Sequence, residues 1–191
     1  MVFPAHLLKP NGGEIYCHIF ENQHTGVARD AYWSITVDFA PIVYGKDKFR
    51  CNAMVEWLQF TKRDFRELAE YRILLPDGSQ AEASFYITEH DIASSTSLTL
   101  NYLGDDRFHV DLEMIVDFHG YAGGDANPAL RVVASTELQY TGLIVVPGNL
   151  DPKPEDEAGV IAAASRFVEL ASYDPPLKQG FRYLFRPQNR K

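Results

Sequence analysis

Two cysteines among 191 residues are too few for a disulfide framework. Both, Cys17 and Cys51, fall on the apolar side of alternating segments, so they read as two buried reduced thiols. Long apolar runs are missing as well. The longest stretches without Asp, Glu, Lys or Arg, residues 92–104 and 138–150, have 13 residues, against the ~20 that a spanning helix needs. The first ten residues, MVFPAHLLKP, show no basic start and no small-residue cleavage site. A soluble, cytoplasmic protein with no membrane association is expected. Basic residues are scarce where acids are dense: between Asp77 and Glu157 only Arg107, Arg131 and Lys153 oppose 15 acids. A body of that sign repels phosphate backbones, which excludes nucleic acid as its partner. There is no Gly-x-Ser-x-Gly elbow and no phosphate loop ending in Gly-Lys-Ser/Thr.

What is present is material for a core. The chain is 46% hydrophobic and 13% aromatic, with a net charge of -8, which fits one globular domain over residues 1–191 and not a disordered segment. The charge is divided between an acidic body and a basic C-terminal segment, residues 175–191. Lys178, Arg182, Arg186, Arg190 and Lys191 stand there without an acid.

Period-two alternation dominates the chain. Inward faces are predicted at Ile15, Cys17 and Ile19; at Ala31, Trp33, Ile35, Val37 and Phe39; and at Phe49, Cys51, Ala53, Val55 and Trp57. After a turn at Pro76-Asp77-Gly78-Ser79 the alternation resumes at Ala81 to Ile87, then at Leu98 to Tyr102, Phe108 to Phe118 and Val132 to Tyr140, with a last edge strand over Phe181 to Phe185. Helices are predicted after Thr61, ending near Arg72, and over Glu155 to Ala171, whose acidic start suits the helix dipole. The fold class expected is α+β: a mostly antiparallel sheet of seven or eight strands with one or two helices on one face. A two-sheet β-sandwich with peripheral helices is the alternative.

The hairpins can be registered from sequence. Pairing residues whose numbers sum to 210 sets Ser97, Thr99 and Asn101 opposite Glu113, Asp111 and His109. For the next hairpin a sum of 248 sets Asp117 opposite Arg131 and Ile115 opposite Val133, joining opposite charges and apolar exceptions. That register also sets Asp111 opposite Glu137, a repulsive pair. The outward patch then carries His109, Asp111, Glu113 and Glu137, with Asp105, Asp106 and Asp125 on its loops and no Lys or Arg of its own.

The function expected is a non-enzymatic acidic module that docks a basic partner protein through Asp105, Asp106, His109, Asp111, Glu113, Asp125 and Glu137. Immunity or antitoxin proteins that neutralise a basic toxin share this charge profile at the level of class. No cofactor and no metal ion is expected. The alternatives are a metal-dependent hydrolase with Mg²⁺ or Ca²⁺ on Asp111, Glu113 and Glu137, and a subunit of a larger assembly joined through strand edges or Phe181 to Phe185. His109 and His119 lie ~33 Å apart along one strand and cannot share an ion. Glu89-His90-Asp91 and the Gly-rich run 119–125 read as surface features.

Overall fold

Strands that are apolar on one face must cover that face, and here the sheet covers it by curling on itself. The computed structural model describes residues 3–75, 81–118 and 127–188. Its strands are β1 (Pro10–Asn22), β2 (Val27–Phe39), β3 (Ile42–Tyr44), β4 (Asp47–Phe49), β5 (Asn52–Leu58), β6 (Tyr71–Leu75), β7 (Glu82–Tyr86), β8 (His90–Gly104), β9 (Arg107–Phe118), β10 (Asn127–Val145), β11 (Leu177–Gln179) and β12 (Arg182–Phe185). Strands β1-β2-β5-β7-β8-β9-β10 are hydrogen-bonded in that order. The ring closes where β1 runs parallel to β10, from Glu14↔Gln139 to Ile19↔Val145. The fold is therefore a closed seven-strand β-barrel with extra strands. It is neither the expected helix-covered α+β sheet nor the sandwich. Strand β6 extends the sheet beside β8, β12 and β11 add to β10, and β3–β4 is a separate hairpin.

The helical expectation fails for a local reason. The one α-helix among the described residues, α1 (Glu157–Ala164), has eight residues and buries only Val160, Ala163 and Ala164. Three small or medium side chains cannot cover a sheet. The stretch after Thr61 forms one 3-10 turn over Phe65–Glu67, in which the Asp64 side chain accepts the Arg66 N–H at 3.0 Å. No helix among the described residues is long and apolar enough to cross a membrane.

The interior is filled by the alternating side chains predicted for it. Ile15, Ile35, Val37, Val55, Phe85, Leu100, Phe108, Val110 and Val132 are fully buried, each contributing about 1.5–3 kcal/mol of transfer free energy. Phe60, Phe65 and Leu68 close one end. Phe65 packs 4.6 Å from the Tyr140 ring and 5.5 Å from Tyr102, and Trp33 stacks on Tyr140 at 5.4 Å. Phe3 and Phe39 close the other end against Phe85. Cys17 and Cys51 are buried free thiols, as expected, and burial pushes both thiols up.

Two departures from strict alternation shape the barrel. Along β10 the buried positions are even up to Tyr140 and odd at Leu143 and Val145. The change of face coincides with a bulge opposite Ile15 and Tyr16. Gly142 stands at this point with φ 116°, and a Cβ there would lie 2.3 Å from the Phe185 carbonyl oxygen. On β5 the expected inward Trp57 is outside. A bulge against β2 puts Trp57 in the left-handed region, φ 62°, and turns Leu58 inward instead.

Candidate functional site

The meander β8–β9–β10 tests both registers. The β8–β9 hairpin has Ser97↔Glu113, Thr99↔Asp111 and Asn101↔His109, as the sum of 210 requires. The odd offset comes from a bulge at Gly104 together with a two-residue turn, Asp105-Asp106, both left-handed at φ 49° and 56°. The β9–β10 register is overturned. Its pairs are Ile115↔Arg131, Glu113↔Val133, Asp111↔Ser135 and His109↔Glu137, two residues from the expected ones. Direct neighbours do not fix this register, because long side chains also reach diagonal ones. Arg131 Nε donates to Glu113 Oε1 at 2.7 Å, and Arg107 Nη1 donates to Glu137 Oε2 at 2.8 Å.

The repulsive pair Asp111–Glu137 therefore does not exist, and the patch has its cations: Arg107 and Arg131 neutralise Glu137 and Glu113. Arg72 stands opposite Thr99 on β6. Hydrogen bonding to Arg131 lowers the Glu113 carboxyl; desolvation opposes this and the charge of Arg131 adds to it. His109 sits between Asp111 and Ser135, with Nε2 3.3 Å from Asp111 Oδ1 and 3.2 Å from Ser135 Oγ. Both partners address the same ring nitrogen. A nucleophilic triad instead needs the acid on one nitrogen and the hydroxyl on the other. Among the described residues no group of three His, Cys, Asp or Glu side chains is placed to hold a metal ion, which leaves Asp111, Glu113 and Glu137 without the convergence a metal site needs. His90 Nδ1 meets Ser84 Oγ at 3.2 Å at the start of β8. Asp125, the turn at 76–79 and the Gly-rich run 119–125 lie outside the described residues.

Negative charge collects instead at the tip of the β8–β9 hairpin. Asp64, Asp105 and Asp106 line a recess of about 430 Å³ with Arg66, Tyr102, Gly104 and Gln188. The turn is pinned through its backbone. The Asp106 carbonyl accepts from Tyr140 N at 2.7 Å and from Gln139 Nε2 at 3.1 Å. Arg66 is engaged elsewhere: it donates to Ser172 Oγ at 2.9 Å and to the Gln188 carbonyl at 2.8 Å, while Ser172 Oγ donates to Asp64 Oδ2 at 2.9 Å. Desolvation raises the Asp106 carboxyl above its ordinary range. Arg66 opposes that rise, and the neighbouring Asp105 and Asp174 add to it.

Sequence reasoning missed a second feature, on the outer face of β1, β2 and β5. Strand β1 is apolar inward at odd positions, but its even positions, Tyr16, His18 and Phe20, are aromatic. The His18 ring lies 6.0 Å from Tyr16, 6.1 Å from Phe20, 6.0 Å from Tyr32 and 5.3 Å from Trp57. Burial lowers His18 to about 4, so its imidazole is neutral at neutral pH. Its Nδ1 and the buried Ser34 Oγ have no hydrogen-bond partner among the described residues. The signal was available in sequence as a strand with ring side chains on its second face.

No family model matches the chain, and neither the curated proteins nor the solved structures contain a match.

Proposed function

We propose that the protein is a non-enzymatic binding module that docks a basic partner protein at the barrel end around the β8–β9 turn. Asp105 and Asp106 receive a lysine or arginine side chain, while His109 and Asp111 form the adjoining rim. The observation that carries this reading is the raised Asp106 carboxyl: it is held beside Asp105 and Asp174 in a recess whose one guanidinium among the described residues is committed to Ser172 and Gln188. Like charges held so close favour an incoming cation, and such complementarity governs encounter rate and partner choice. Neutralisation of a basic toxin by an immunity or antitoxin-type protein is one activity of this form.

The test is a comparison of the protein with its Asp105→Asn/Asp106→Asn variant, in which both left-handed residues keep a side chain that tolerates that backbone. Immobilised wild-type protein is expected to retain a basic protein from the lysate of its native host and release it with rising salt, while the variant loses it. A partner held equally well by both would overturn the assignment. Calorimetry with hexalysine supplies a defined probe for the same comparison.

A further inference from the structure

The outer face of the barrel carries a cavity remote in character from the carboxylate recess. It has a volume of about 480 Å³ and is lined by Phe20, Asn22, Thr25, Val27, Trp57, Ala81 and Glu82, within the size range of small-molecule sites. Two aromatic rings form its wall, Phe20 and Trp57, with centroids 5.1 Å apart and planes inclined at 56°. Tyr32 supports Trp57 from behind at 5.7 Å. Trp57 reaches this position only through the β5 bulge and its left-handed backbone, φ 62°. A bulky residue in that conformation is strained, and such strain is retained where surrounding structure enforces it.

The charge at the cavity is negative. Glu82 lines it, and the β5–β7 register sets Glu56 directly opposite Glu82. Like charges directly opposite one another destabilise a sheet. Here no hydrogen bond or ion pair among the described residues relieves them, in contrast to Glu113 and Glu137, which arginines neutralise. Among the described residues the cavity lining contains no lysine or arginine. His18, packed behind both rings, is uncharged at neutral pH.

We propose that this cavity binds a small organic cation of the alkylated or quaternary ammonium class, with Phe20 and Trp57 as the aromatic walls and Glu82 as the counter-charge. The rings meet the methyl-rich surface of such a cation by cation–π attraction, which acts within about 6 Å of a ring centroid. Glu82, with Glu56 beside it, supplies the field that an uncharged ligand could not use. An anion would meet the Glu82 carboxylate, and a purely apolar ligand would desolvate it without compensation. This site is independent of the docking surface at the β8–β9 turn, so either assignment can fail alone.

The test is a fluorescence titration with choline and tetramethylammonium as probes and 3,3-dimethylbutan-1-ol as the uncharged isostere of choline. The two tryptophans are Trp33, buried in the core, and Trp57, at the cavity, so a ligand-dependent change in emission reports on Trp57. Saturable changes are expected for both ammonium probes at about millimolar concentration, with the alcohol binding at least about tenfold more weakly. Glu82→Gln is expected to weaken choline by about tenfold and remove its advantage over the alcohol. Trp57→Leu, followed by calorimetry, is expected to abolish binding while the far-UV spectrum stays that of the folded barrel. An equal response to choline and the alcohol, unchanged choline affinity in Glu82→Gln, or no response up to about 50 mM would each overturn the proposal.

Discussion

Asp106 combines three unfavourable conditions: a left-handed backbone, partial desolvation and carboxylate neighbours. Its folded-state pKa is raised, so its ionisation favours the unfolded chain. Any stability gained from the protonated form is present at low pH and lost as pH rises through the folded value. Asp106→Asn removes the charge while keeping a residue tolerant of the left-handed region. Urea denaturation at pH 7 should show a gain of up to about 0.5 kcal/mol, the scale of surface substitutions, disappearing below the acid range. His18 has the opposite consequence. Its pKa falls from 6.5 to about 4 in the fold, so stability is complete above 6.5 and is lost progressively as pH falls toward 4, by of order 3 kcal/mol. His18→Phe keeps the ring packing and removes the titration. Urea midpoints measured at pH 7.5, 5.5 and 4 should fall for the wild type and flatten between 6.5 and 4 for the variant.

At the scale of elements, β10 is constrained along its length, because it pairs with β9, β1 and β12. Gly142 is where these demands meet. Gly142→Ala puts a methyl group 2.3 Å from the Phe185 carbonyl at φ 116° and should cost more than about 2 kcal/mol. Thermal unfolding should show this loss, with β12 amides near Phe185 losing exchange protection first. The same strand shows which parts of the fold the sequence makes legible. Alternation from Val132 to Tyr140 announces an inward face, and the even sum for β8–β9 follows from matching faces. The shift to Leu143 and Val145, at the bulge where closure occurs, is not visible, because residues 143–146 are all apolar and show no alternation. The partner in that closure is not legible, since β1 pairs with β10 through backbone groups that every sequence supplies. The β9–β10 register was equally underdetermined: sums of 246 and 248 keep the same faces buried, and only the reach of Arg107 and Arg131 separates them. Among the expected site residues, Asp105 and Asp106 could be assigned to a tight turn. Their meeting with Asp64 could not, because it depends on how residues 59–70 fold across the barrel end.

At the scale of the whole molecule, one core spans all seven barrel strands, and Trp33 sits within it at the end closed by Phe60 and Phe65. Unfolding by urea should therefore be a single transition, with Trp33 emission and far-UV ellipticity coincident. Separate midpoints would show that part of the sheet melts on its own. The parallel closure of β1 on β10 joins segments far apart in the chain: Thr141 Oγ1 donates to the Ile15 carbonyl across 126 residues. During synthesis at about 5–20 residues per second, β1 leaves the ribosome roughly 6 to 25 seconds before the strand that must cover its edge. For that interval β1 keeps an open edge, able to pair with any extended chain nearby. The barrel has no free rim once finished at this seam, but its nascent form is a template, and its yield in the cell depends on how quickly residue 145 arrives.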